Sequence, residues 1–258
     1  MIGDEFSKYS QYSVYKIDIE DNKVLENSNI KYKWISKYSS HEEYEKFCPS
    51  FKTYFSNINK NKTEDVLFVC VGSNEITGCS LRLLETIKDR NISLLYIRPD
   101  LIFLNDKNKL QEKITYNIFQ EYARSGLLKD IYLFDNQIME KHIPELSISS
   151  YYKKLNELIV STFHFINVFK HTQPLWEINN DELPSGTRIK TVGIFEQNQN
   201  IEKYLFPIKY ITHKIFYYAF SKKQIDSDRN AYYKNQRTNE SKKRRRSKGW
   251  LQDIYDGL

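Results

Sequence analysis

The chain has 258 residues, of which 40% are hydrophobic and 15% aromatic, a composition typical of a globular protein and not of a disordered one. Its apolar runs fall short of the ~20 residues that cross a bilayer, so no membrane span is predicted. The net charge of +6 is concentrated in residues 242–248, "KKRRRSK", and the rest of the chain is close to neutral.

The start of the chain, "MIGDEFSKYS", is polar and acidic and shows no secretory signal. The three cysteines, Cys48, Cys70 and Cys79, are odd in number and have no regular spacing. This usage indicates buried thiols in a reducing compartment. We therefore expect a cytoplasmic protein.

Strands and helices alternate along the first two thirds of the chain. Residues 13–19 predict a strand, whereas residues 28–65 show no clear pattern. Further strands are predicted over 66–71, 92–97 and 130–134, and helices over 78–90, 108–124 and 149–168. This order is typical of a parallel sheet with helical crossovers. The sequence therefore predicts an α/β fold with helices on both faces of the sheet and a long central helix.

The pattern changes after Lys170. Residues 187–195, 204–211 and 213–220 have the composition of strands without helices between them, which predicts a smaller, partly antiparallel subdomain. From Asp226 the chain is polar and then basic, as in a solvated linker. The predicted organisation is a main domain over residues 1–148, a central helix over 149–170, a second subdomain over 171–225 and a flexible basic tail over 226–258.

One strand-to-helix junction has the composition of a phosphate-binding loop. In "LFVCVGSNEITGCSLRLLE", residues 67–85, an apolar strand leads into a loop that contains two glycines. Gly72 and Gly78 would let the backbone approach a phosphate, and Ser73 and Thr77 would supply hydroxyl donors. The spacing lacks the lysine of a Walker A motif. Taken alone, the segment favours an ordinary turn with Thr77 as helix N-cap.

Two further places have side chains suited to a planar base. Tyr152 and Asn156 are four residues apart in the long helix, so they share a face on which a ring and an amide would stack on a base and hydrogen-bond it. Asn136 follows the apolar strand "IYLF", where a residue that contacts base or ribose would lie in a parallel sheet. The alternatives are a half-buried Tyr, a solvated Asn and an ordinary turn Asn.

In their order along the chain, these segments resemble the tubulin/FtsZ superfamily of GTP-binding filament proteins. The resemblance covers roughly residues 1–20 and 66–183, and no specific match follows residue 183. The matching segments are "MIGDEF" (1–6), "YKID" (15–18), "VGSNEITG" (71–78), "YIRPD" (96–100), "DNQIME" (135–140), "YYKKLNELIVSTF" (151–163) and "EINNDEL" (177–183).

The resemblance implies GTP or GDP as ligand, with Mg²⁺, and self-assembly into filaments through longitudinal contacts. Phosphates would lie at Gly72, Ser73, Thr77 and Gly78, and Asp18 would lie near the ribose or metal side. Guanine would be held by Asn136, Tyr152 and Asn156. Asp181 would act across the subunit contact as the acid that positions water for GTP hydrolysis; a polar loop acid is the alternative.

The sequence also departs from the superfamily pattern. Asn74, Glu75 and Ile76 replace the middle of the glycine-rich loop, and Glu75 would repel a phosphate. The pattern begins within the first helix, so we expect one central strand position of the sheet to be unfilled. Whether the chain is a GTPase is therefore open. The alternatives are a non-catalytic adaptor on the same fold, and a protein that binds nucleic acid or an acidic partner through residues 242–248.

Overall fold

The computed structural model describes residues 1–19, 28–60, 64–143, 147–171, 187–196 and 201–217. The chain divides into two compact units, residues 1–213 and 214–258, and the elements below belong to the first. They are α1 Ile2–Phe6, β1 Val14–Ile19, β2 Ile30–Ile35, α2 His41–Lys46, α3 Ser56–Lys60, β3 Val66–Val71, α4 Ser80–Thr86, β4 Ile92–Arg98, α5 Asp106–Ser125, β5 Asp130–Asp135, α6 Asn136–Glu140, α7 Tyr151–His171, β6 Ile189–Thr191, β7 Gly193–Glu196 and β8 Ile201–Tyr204. Short 3₁₀ turns cover Glu75–Cys79, Leu101–Phe103 and Ile148–Ser150.

The centre of the fold is a four-stranded parallel sheet in the order β3-β4-β5-β6. β4 and β5 lie in its middle and are almost continuously apolar, as strands covered on both faces must be. Their register sets Leu95 opposite Tyr132 and Ile97 opposite Phe134. Because all four strands run the same way, their carboxyl ends meet at one edge of the sheet, which we call the carboxyl edge.

Helices cover both faces of this sheet, because alternate side chains of each strand point to opposite sides. One core contains Leu94, Tyr96, Ile131 and Leu133 of the strands together with apolar residues of α4 and α5. The other contains Leu95, Ile97, Tyr132 and Phe134 of the strands together with residues of α1, α6 and α7. The α/β fold with flanking helices is thus confirmed. None of the described helices is sufficiently long and apolar to cross a membrane.

β1 and β2 form a separate two-stranded parallel sheet. Within the described residues, no backbone hydrogen bonds join β1 to β3, yet the side chains of both strands enter the same two cores. Ile17 and Phe68 pack in the first core, and Val14 and Val69 in the second. β3, "VLFVCV", therefore lies at the edge of its sheet although its sequence is that of a central strand, and most of its residues are half-buried.

The predicted strands and helices of the main domain agree with the structure. Strands 66–71, 92–97 and 130–134 and helices 108–124 and 149–168 are confirmed within a few residues. The helix predicted over 78–90 is shorter, because residues 75–79 form a 3₁₀ turn and α4 ends at Thr86.

The prediction of a strand over 204–211 is wrong. β8 ends at Tyr204, after which the side chains of Leu205 and Phe206 are buried in the two cores. Pro207 follows directly and has no N–H for a strand ladder. Residues 213–217 are irregular, and the remainder of the strand predicted over 213–220 lies outside the described residues.

A candidate site at the carboxyl edge of the sheet

The structure brings the sequence-predicted loop, Asn136 and the start of α7 to the carboxyl edge. The glycine loop follows β3 directly, and Asn136 follows β5 directly. α7 runs antiparallel to β5, because Lys170 in its last turn lies 3.7 Å from the carboxylate of Asp130 at the amino end of that strand. A 21-residue helix is ~30 Å long, so its first turn reaches the carboxyl edge.

The glycine loop uses its own hydrogen-bonding groups internally. The N–H of Gly72 donates to the carbonyl of Ile97 at 3.1 Å, and that of Thr77 to the carbonyl of Asn74 at 2.9 Å. The Asn74 side chain accepts from the N–H of Ile76 at 3.2 Å. The buried Thr77 hydroxyl donates to the carbonyl of Val71 at 2.9 Å, so it closes the turn and does not face solvent. Ser73 is half-buried and makes no side-chain hydrogen bond within the described residues.

Both loop glycines are required by packing against the protein itself. A Cβ on Gly72 would lie 2.0 Å from the hydroxyl of Tyr96, and one on Gly78 would lie 2.2 Å from the carbonyl oxygen of His41 in α2. Real Cβ atoms do not approach other heavy atoms so closely. The two glycines are therefore explained by packing within the protein as well as by the close approach of a phosphate.

A buried charge cluster, which the sequence analysis did not single out, occupies the same edge. Arg98 at the end of β4 lies 3.4 Å from the carboxylate of Glu112 in α5 and 3.4 Å from that of Asp135 at the end of β5. Both acids are about 5% exposed. The Tyr96 hydroxyl donates to Glu112 at 2.9 Å. The signal in the sequence was a charged residue at the end of each of two neighbouring apolar strands, in "ISLLYIR" and "DIYLFD".

Aromatic rings enclose the guanidinium group of Arg98. Its central carbon lies 4.3 Å from the ring centre of Phe206 and 5.3 Å from that of Tyr116. Burial raises the pKa of Asp135, although Arg98 and the N–H of Ile138 act in the opposite direction. The cluster thus holds one cation between two acids, and one of those acids takes up a proton more readily than usual.

Asn136, Tyr152 and Asn156 lie on the adjacent helices α6 and α7, which pack together in the second core through Met139 and Leu155. Asn136 is 8% exposed, and its amide makes no hydrogen bond within the described residues. Tyr152 is 70% exposed, and Asn156 is half-buried. An exposed ring and two amides without bonds to the described residues are the groups that a planar base requires.

The neighbours of Tyr151, in the first turn of α7, show which elements lie close to the start of that helix. Burial, together with the carboxylates of Glu140 and Asp100, raises the pKa of its hydroxyl to about 12. Tyr151 and Tyr152 make an edge-to-face contact with ring centres 5.1 Å apart. The start of α7 is therefore close to α6 and to the residues that follow β4.

Two further residues were predicted from the sequence to belong to the site, Asp18 and Asp181. Asp18 near the end of β1 forms an ion pair with Lys16 at 3.0 Å and accepts a hydrogen bond from the N–H of Ile19 at 2.9 Å. Asp181 lies outside the described residues, as does the basic segment 242–248. No group of three or more His, Cys, Asp and Glu side chains that would hold a metal ion occurs in the described part of the chain.

Two surface cavities lie away from these residues. One of about 340 Å³ is lined by Leu84, Ile92 and Leu128, at the amino end of β4. The other, of about 350 Å³, is lined by Arg124, Arg188 and His213. Neither contains a residue predicted from the sequence to bind a ligand.

Comparisons with known proteins do not identify a family for this chain. No protein-family profile, curated protein or solved structure matches the chain.

Proposed function

We propose that the carboxyl edge binds a guanine nucleotide and that the chain is a divergent tubulin-like protein that assembles into filaments. The observation that carries this proposal is Asn136, a nearly buried residue whose amide has no hydrogen bond within the described residues. The Asn136 amide is not among the buried side-chain groups without a partner in the described part of the chain, so it reaches the surface, where a ligand would have access to it. Tyr152 and Asn156 on the adjoining helix offer a stacking surface and a second amide.

Two features of the fold support the tubulin-like part of the proposal. The order of elements from β3 to α7 is that of the resemblance, with the long helix beginning at the same edge as the glycine loop. The break between β1 and β3 lies where the resemblance expects a further strand. In this proposal Asp181 of a neighbouring copy would position water for hydrolysis, and Mg²⁺ would accompany the phosphates.

The glycine loop favours a second candidate function, a non-catalytic adaptor on the same fold. Several of the loop's donors are already used internally, and both glycines have a packing explanation. Arg98 is already paired with two carboxylates. A protein with this edge would keep the scaffold and bind a protein partner instead of a nucleotide.

Titration calorimetry with GTP and with ATP, each with Mg²⁺, separates the two functions. We expect wild type to bind GTP and Asn156→Ala to bind it about 10- to 100-fold more weakly, as expected for the loss of a hydrogen bond in a desolvated site. Asn117→Ala is the matched control, because Asn117 is an exposed amide on α5, across the sheet from α7. Its affinity should equal that of wild type.

Sedimentation with and without GTP tests assembly separately from binding. GTP-dependent pelleting that Asn156→Ala reduces would support a filament protein. A folded chain, shown by circular dichroism, that neither binds GTP nor pellets with it would contradict the proposal and favour the adaptor.

A further inference from the structure

Two cysteines from distant parts of the sequence meet beside the glycine loop. Cys48 follows α2, and Cys79 is the last residue of the 3₁₀ turn that ends the loop. The Cys48 sulfur lies 4.0 Å from the carbonyl oxygen of Cys79, and the Cys79 thiol donates to the carbonyl of Tyr44 at 3.2 Å. The Cys48 sulfur thus lies against the backbone of Cys79, close enough for a charge on Cys48 to affect the Cys79 thiol.

The two thiols differ in access. Cys48 is half-buried, whereas Cys79 is 0% exposed. Interaction with the Cys79 thiol lowers the pKa of Cys48, and the charge of Arg82 acts in the same direction, whereas burial opposes both. Interaction with Cys48, together with burial, raises the pKa of Cys79. Thiolates, and not thiols, react with oxidants, so Cys48 is the accessible and reactive member of the pair.

Cys70 provides an internal comparison. It lies in β3 and is buried, and burial alone raises the pKa of its thiol. No other cysteine thiol interacts with it in the described structure, in which Cys48, Cys70 and Cys79 are all free. Cys70 is therefore expected to stay reduced under conditions in which Cys48 reacts.

We propose that Cys48 and Cys79 are a reversible oxidation site, at which a small two-electron oxidant such as hydrogen peroxide converts the two thiols to a disulfide. The Cys48 thiolate attacks one peroxide oxygen, the O–O bond breaks, and hydroxide leaves to take up a proton. The resulting sulfenic acid is attacked by the Cys79 sulfur, the S–O bond breaks, and water leaves with the Cys79 proton. Two thiols are oxidised, and peroxide is reduced to water.

The disulfide would act on the loop next to the candidate site. The backbone of α2 already contacts the loop at Gly78, where a Cβ would meet the carbonyl of His41. A bond between Cys48 and Cys79 would tie the segment after α2 to the residue from which α4 begins. Oxidation would thus restrain the loop from Gly72 to Cys79. This chemistry does not depend on nucleotide binding.

The test is oxidation of the reduced full chain with equimolar hydrogen peroxide, followed by alkylation and peptide mass spectrometry without reduction. We expect one cross-linked species that joins the peptides of Cys48 and Cys79 and disappears on reduction with dithiothreitol. Without oxidant, Cys48 should react with a maleimide at least about tenfold faster than Cys70. Cys70→Ser should give the same cross-link as wild type, and Cys48→Ser should give none.

Three outcomes would overturn the proposal. They are oxidation of Cys48 to sulfinic or sulfonic acid without a cross-link in the folded protein, a cross-link that includes Cys70, and a Cys48–Cys79 cross-link that forms only in urea. The cross-links found in the oxidised wild-type chain test the proposal even if a serine variant does not fold. Circular dichroism of each sample before oxidation identifies such a variant.

Discussion

Replacing Gly72 by alanine tests whether that glycine is needed for packing. Its Cβ would lie 2.0 Å from the Tyr96 hydroxyl and 2.8 Å from the ring carbon that bears it. Tyr96 is fully buried, and its hydroxyl is bonded to Glu112, so the ring cannot move without losing that bond. Overpacking costs about 1–3 kcal/mol and a lost hydrogen bond to a buried charge about 1.5–3 kcal/mol, so we expect Gly72→Ala to lower the free energy of unfolding by about 3–5 kcal/mol.

Urea denaturation monitored by circular dichroism measures this loss, and a double-mutant cycle locates its origin. Tyr96→Phe removes the atom nearest to the new Cβ. Gly72→Ala with Tyr96→Phe should therefore be about 1–2 kcal/mol more stable than the sum of the single changes predicts. Gly3→Ala is the control, because its Cβ would meet only Val14 at 3.6 Å, and it should stay within about 1 kcal/mol of wild type.

A Gly72→Ala variant within about 0.5 kcal/mol of wild type would refute the packing argument. If that variant also lost GTP binding, the glycine would be explained by the approach of a phosphate and not by Tyr96. The two explanations for the loop glycine thus lead to different pairs of results in stability and in binding.

Three further changes test the rest of the fold and the charge cluster. Arg98→Met leaves Glu112 and Asp135 without their cation and should cost about 3–5 kcal/mol in urea unfolding. The cost should be smaller at about pH 4 than at about pH 7, because Asp135, whose pKa is raised by burial, then takes up a proton. Burial raises the pKa of Asp135 above 3.8, so the folded protein retains a proton that the unfolded chain has released, and wild type loses stability as pH rises through that interval. Asp135→Asn keeps a cap for the N–H of Ile138 and should flatten this pH dependence in a series of urea titrations; an unchanged slope would contradict the assignment. Gly126→Ala, at the left-handed end of α5 with φ of +86°, should cost about 1–2 kcal/mol in thermal unfolding, and no loss would show that the turn changes conformation.

The strands of the parallel sheet could be predicted from the sequence because they are short apolar runs that end at turns or charged residues. "VLFVCV" and "DIYLF" are such runs, and both are strands. Their carboxyl ends meet because parallel strands require crossover helices, which the periodicity of α5 and α7 also indicated. The order of strands and helices along the chain thus placed Asn136 and the start of α7 at the same edge of the sheet.

Residues 28–65 could not be assigned because their signals are brief. Ser40 caps the start of α2, where its side chain accepts from the N–H of Glu43, and Ser-x-x-Glu is a capping signature that the sequence does contain. β2, "IKYKWI", alternates lysine with apolar or aromatic residues, but only its two end residues are fully buried. Such short elements are stabilised by contacts with the rest of the fold, which composition alone does not reveal.

The charge cluster depended on strand register, which no local pattern specifies. Arg98 faces Asp135 because β4 pairs with β5 in that register, and Glu112 reaches them from the first turns of α5. The Tyr96 ring explains Gly72 for the same reason, since the β3–β4 register sets Cys70 opposite Tyr96. The charge cluster and the approach of Tyr96 to Gly72 both join residues that are far apart in the sequence. The only local signal was a charged residue at the end of each of two neighbouring strands.

The base-binding half and the phosphate-binding half of the proposed nucleotide site differ in whether their hydrogen-bonding groups already bind other residues. This difference leads to a last prediction. Asn136 and Asn156 make no side-chain hydrogen bonds within the described residues, so a base would gain their bonds without breaking others. Several loop donors and Arg98 are already engaged, so a phosphate would have to compete with Val71, Asn74, Glu112 and Asp135 for them. The phosphates should therefore add little affinity: guanosine should bind within about tenfold of GTP, a difference of about 1.4 kcal/mol in calorimetry. A GTP affinity a thousandfold above that of guanosine would mean that the loop and Arg98 rearrange around the phosphates.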